Sequence, residues 1–152
     1  MYQTIMQSIF ITTISIMVIG LFIPAFYHSN QKTSTVLSQF VVPIDNASDA
    51  NQAFTVAHLE TLLQQKHILA TNIILVAYGK GIYLLEKGNH FQPRLQALIE
   101  KGVQFYTCNT TQATIKNQLS HHIDFIDGVK SVPNGKDYIE TLMEQGFTNS
   151  FA

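Results

Sequence analysis

Apolar and polar positions divide this chain into two regimes. From Ile9 to Tyr27 the run IFITTISIMVIGLFIPAFY holds 19 residues without a charge. About 20 apolar residues in a helix cross the hydrocarbon core of a bilayer, so residues 6–27 read as a membrane segment. Tyr27 and His28 suit its interface. A cleaved signal is the rival reading, but no Lys or Arg precedes the run and no clear A-x-A site follows it. An ordinary buried helix is the third, and such helices rarely lack a polar face over this length. Residues 1–30 are therefore taken as an anchor or signal segment, 31–35 as a linker, and 36–152 as a folded domain. A hydrophobic N-terminus followed at once by a domain is the usual export arrangement, which places the domain in the periplasm or outside the cell. Lys32, directly after the run, favours the cytoplasmic side.

Beyond the linker the pattern alternates between strand and helix periods. Phe40–Ile44 is a β-type run whose Pro43 assigns it to an edge or a strand end. Asn46 or Ser48 caps a helix with Asp49 in its first turn, and Ala50, Ala53, Phe54, Ala57 and Leu62 mark its apolar face. Thr71–Tyr78 is a continuous apolar run, the signature of a strand covered on both faces, and Gly79-Lys80-Gly81 breaks it. Pro93 starts a helix with Leu95, Leu98 and Ile99 on one face, and Gly102 ends it. Val103–Cys108 is a strand, and Thr110 or Thr111 caps a helix to about Leu119. Gly128–Val132 is a strand that Pro133-Asn134-Gly135 turns into a helix faced by Ile139, Leu142 and Met143. Phe147–Phe151 is a last short strand. This alternation predicts an α/β fold: a mostly parallel sheet with helices on both faces.

Charge narrows the functional classes. Only 12% of residues are charged against 46% apolar, and none of the charged ones precedes Lys32. After Lys32 the chain carries eight bases and ten acids, a formal charge of −2, and Arg94 is its single arginine. No basic stripe emerges, so nucleic acid is not an expected partner. Cys108 is the only cysteine, which excludes an intramolecular disulfide and a thiolate-rich zinc site.

Candidate chemistry concentrates at strand ends. Cys108 closes a predicted parallel strand immediately before a helix, and ligands of open α/β sheets collect at that edge. The N–H groups and dipole of a helix N-terminus favour a thiolate there. An inert, half-buried cysteine is the competing reading. Gly79, Lys80 and Gly81 end another strand; the glycines admit close approach of a ligand and Lys80 offers charge, although an ordinary turn explains the same residues. Their spacing is neither a dinucleotide fingerprint nor a P-loop. His121-His122, near Asp124 and Asp127, reads as a solvated loop rather than a metal site, because adjacent residues do not converge. His58, His67 and His90 are scattered, and neither G-x-S-x-G nor H-E-x-x-H occurs. The residues call for no cofactor and no metal.

Three segments carry a resemblance. Ile73–Leu85 (IILVAYGKGIYLL) resembles the strand and glycine turn of the DsrE/DsrF-like sulfur-relay family. Leu95–Thr111 (LQALIEKGVQFYTCNTT) is similar to its helix, strand and cysteine segment, and Val129–Gly135 with the following helix and Gly146-Phe147 is similar to its C-terminal end. The resemblance covers about Val36 to Ala152. It implies a YchN-like α/β sandwich that assembles with itself into trimers or hexamers. It also implies that Cys108 carries sulfur as a persulfide between donor and acceptor proteins; Gly79, Lys80, Gly81 and Asn109, at the two strand ends, are the candidate ligand-binding residues beside it. A hydrophobic N-terminus departs from that family. The alternative is a non-catalytic, membrane-tethered module for binding a small ligand or for assembly, with Cys108 merely packed in the core.

Overall fold

The computed structural model describes residues 37–152, and the expected membrane segment lies outside them. No helix among the described residues is long and apolar enough to cross a membrane. Five strands form one sheet: β1 Phe40–Ile44, β2 Ile73–Ala77, β3 Gln104–Cys108, β4 Lys130–Val132 and β5 Thr148–Asn149. Their order is β4-β3-β2-β1-β5, and every pairing is parallel. Four α-helices connect them: α1 Asp49–Leu63, α2 Gln92–Glu100, α3 Asn109–Leu119 and α4 Gly135–Glu144. Short 3₁₀ segments at Ala70–Asn72 and Gly79–Leu85 flank β2.

Strand order explains where the helices lie. The chain steps in one direction from β1 to β4, and right-handed crossovers then place every connecting helix on one face. Only the return from β4 to β5 runs the other way, so α4 alone falls on the opposite face. The two cores match this division. Leu59 of α1, Leu95 and Leu98 of α2 and Ile115 of α3 pack with Ile73, Leu75 and Phe105. Ile139 and Leu142 of α4 pack with Val41, Ile74 and Val76. Alternate β2 residues feed alternate cores, which is why all five are buried and the run reads as continuously apolar.

Pro43 behaves as its chemistry requires, although β1 is not the edge strand. The N–H of Thr148 donates to Gln39 C=O and that of Ser150 to Val41 C=O, so odd residues of β1 face β5. The paired stretch of β5 ends at Asn149, opposite Val41, and Pro43 lies beyond it with no ladder bond to lose.

Two expectations need correction. The buried stripe of α1 is Gln52, Thr55, Val56, Leu59 and Leu62, whereas Phe54 is 60% exposed and Ala50 and Ala57 are exposed as well. Gln52 is tolerated inside because its amide donates to Ala47 C=O at 3.0 Å and accepts from Asn89 at 2.9 Å. Phe54 instead packs on the rings of His58 and Phe151 at the surface. In α4, Met143 is exposed while Ile139 and Leu142 are buried.

Candidate functional site

Parallel register brings the sequence-predicted strand ends together. Ala77 pairs with Thr107, so Tyr78 and Gly79 continue beside Cys108 and Asn109 at the carboxyl edge of the sheet. Val132 pairs with Cys108 on the other side. The chain after Val132 then enters α4, whose first residue, Gly135, lies against both neighbours. A Cβ built on Gly135 would stand 3.0 Å from Tyr78 Cβ and 3.3 Å from Cys108 Cβ. Glycine at this position lets the start of α4 sit directly over the cysteine.

Cys108 is itself the N-cap of α3. Sequence reasoning expected Thr110 or Thr111 to cap, but both lie in the first turn. They are the second and third helical residues, the positions whose N–H groups a capping side chain normally accepts from. The Cys108 side chain makes no capping hydrogen bond to them. Burial pushes the Cys108 thiol pKa up. The Thr111 hydroxyl and the N–H groups of Thr111, Gly135 and Thr110 pull it down, and the balance lies below the ordinary thiol value. Two helix N-termini, α3 and α4, thus lie beside one cysteine. Cys108 as a whole residue is only 4% exposed.

Thr111 links this sulfur to a second feature. Its Oγ1 accepts from the N–H of Gly79 at 3.1 Å, and the same hydroxyl helps to lower the Cys108 pKa. Thr110 also ties α3 to the turn before α4: its hydroxyl and its N–H both donate to Pro133 C=O, at 2.8 and 3.2 Å. Between the 3₁₀ segment and α3 lies an open groove of about 330 Å³, lined among others by Gly79, Lys80, Tyr83, Thr111, Ile115 and Leu119.

The expected ligand-binding residues separate here. Gly79 and Lys80 line the groove, but Gly81, Asn109 and Cys108 do not. Gly81 is buried, and a Cβ on it would lie 2.2 Å from Ile44 C=O, so this glycine serves the crossing of two backbones. Asn109 is exposed and accepts from the Gln112 amide at 3.3 Å. The groups that lower the Cys108 pKa are hydroxyl and N–H donors of Thr110, Thr111 and Gly135. Sequence reasoning missed Thr111 and Gly135 as site residues. His121 and His122 are exposed, His121 against Glu86 at 3.0 Å and His122 against Asp124 at 3.5 Å.

No family model matches this chain, and no curated protein matches it. A solved structure from Methanobacterium thermoautotrophicum, described as the protein of unknown function MTH1491, has a TM-score of 0.65 and 21% sequence identity. It covers 74% of this chain, and the alignment spans 96% of that one. That likeness establishes a shared α/β fold.

Proposed function

We propose that this protein is a single-cysteine sulfur carrier of the DsrE-like type. The observation that carries the reading is the place of Cys108 at the carboxyl edge of the sheet, where it is the N-cap of α3 and packs against Gly135, the first residue of α4. In the reaction, the Cys108 thiolate attacks the outer sulfur of a donor persulfide, R–S–SH. The new bond gives Cys108–S–SH, and the donor leaves as the thiolate R–S⁻. An acceptor thiolate then attacks the outer sulfur, takes it as its own persulfide and releases the Cys108 thiolate. Each step moves one sulfur atom and one proton, with no external oxidant. The two helix N-termini would hold the negative sulfur before the first step and after the second. With Cys108 only 4% exposed, the start of α4 has to move aside before a donor thiol can reach the sulfur. The test is mass spectrometry of the chain after incubation with a small persulfide donor. A gain of one sulfur atom on Cys108, absent from Cys108→Ser, is expected; an unmodified Cys108 overturns the reading.

The second reading, a membrane-tethered binding or assembly module, draws on a different observation. The groove beside Thr111 does not include the cysteine, so ligand binding there needs no thiol chemistry. Self-association into a trimer or hexamer, and attachment through residues 6–27 with the domain outside the cytoplasm, are proposals common to both readings.

A further inference from the structure

We propose that the groove between the turn after β2 and α3 binds a small monocarboxylate with an apolar body. This deepens the binding-module reading by naming its ligand class. The volume of about 330 Å³ lies at the small end of the roughly 300–1,000 Å³ typical of ligand clefts, too little for a dinucleotide or a folded peptide. Its floor is apolar: Ile115 is buried and belongs to the main core, and Leu119, 65% exposed, forms the rim. Tyr83 adds a half-buried ring. An exposed leucine beside a buried isoleucine gives an alkyl or aryl body a surface to cover.

Charge fixes the other end of the ligand. Lys80 lines the groove, is exposed, and takes part in none of the ion pairs found among the described residues. The backbone donors nearby are already engaged, Gly79 N–H by Thr111 Oγ1 and Thr110 N–H by Pro133 C=O. A phosphate gathers several free N–H groups at a helix start, and Gly79 and Thr110 offer it none here. One ammonium above an apolar floor complements a single carboxylate.

Octanoate is the probe, titrated into the full chain carrying ¹³C-methyl labels on Ile and Leu. Saturable shifts are expected at Ile115 and Leu119, with none at Ile139 and Leu142 across the sheet. Such a site-resolved signal separates the groove from any association with the apolar N-terminal run. Lys80→Gln should weaken binding about fivefold, the size of one exposed ion pair, and Lys80→Arg should restore it. The titration repeated on Cys108→Ser should be unchanged, so loss of this site and loss of the sulfur chemistry are told apart. No saturable shift at Ile115, or equal affinity in Lys80→Gln, would overturn the proposal.

Discussion

Gly79 donates its N–H to Thr111 Oγ1 at 3.1 Å, and this one bond joins the turn after β2 to the first turn of α3. The hydroxyl has two duties, accepting from Gly79 and helping to hold the Cys108 pKa down. Thr111→Val keeps the shape and removes both. The Cys108 pKa should rise, and stability should fall by about 1 kcal/mol for the lost hydrogen bond. Urea denaturation and thiol titration of the same variant check the two effects together. An unchanged thiol pKa would show that the backbone donors alone hold the sulfur.

Gly81 and Gly135 offer a graded test of backbone approach. A Cβ on Gly81 would lie 2.2 Å from a backbone oxygen, which cannot turn aside, so Gly81→Ala should cost about 3 kcal/mol or more. A Cβ on Gly135 meets side-chain Cβ atoms at 3.0 and 3.3 Å, where small shifts suffice, so Gly135→Ala should cost about 1–2 kcal/mol. It should also disturb Cys108, which Gly81→Ala has no direct means to do. Comparison of denaturation midpoints decides the order, and the reverse order would contradict the packing described.

Much of this arrangement was legible in the sequence, and the remainder has physical reasons. Strand ends at Tyr78 and Cys108 were readable because apolar runs stop at glycine or at a helix start. Their shared edge follows from parallel pairing. The place of Gly135 was not readable, because Pro133-Asn134-Gly135 announces a turn into a helix but not where the return to β5 will lay that helix. Thr110 or Thr111 reads as a cap because threonine usually is one; the cap is Cys108, which propensity would not choose. In α1 the apolar face was misplaced because Gln52 and Thr55 occupy the buried stripe while Phe54 points outward. Gln52 satisfies its amide with Ala47 and Asn89, so hydrophobicity alone misreads the stripe.

His58 supplies a pH dependence independent of the cysteine. Its Nε2 is buried without a hydrogen-bond partner among the described residues, and burial lowers its pKa below the ordinary histidine value. The folded state therefore binds its proton less readily than the unfolded chain. The stabilising difference is complete above the unfolded value of about 6.5 and is lost as pH falls through the lowered folded value. Stability should decline on acidification through that window. His58→Phe, which keeps a ring against Phe54 and Phe151, should flatten the decline. Denaturation midpoints measured across the window check it, and an identical slope in both proteins would assign the decline elsewhere.

The Cys108 linkage has the matching sign in the alkaline range. A folded thiol pKa below the unfolded value of about 8.5 makes stability rise as pH increases through the interval between them. That contribution is complete above the unfolded value and disappears as pH falls through the folded one. The rise should be absent in Cys108→Ser, as denaturation midpoints followed with pH would show.

The most direct measurement is the ultraviolet titration of the thiolate in the folded protein, recorded as the difference between wild type and Cys108→Ser. It reads ionisation without requiring a reagent to reach a residue that is 4% exposed. Donors from two helix N-termini and from Thr111 should place the midpoint below about 8.5, the value of a free thiol. A midpoint at or above that value would mean that burial outweighs the donors. Cys108 would then be a packed core residue, and the sulfur-carrier account would be wrong.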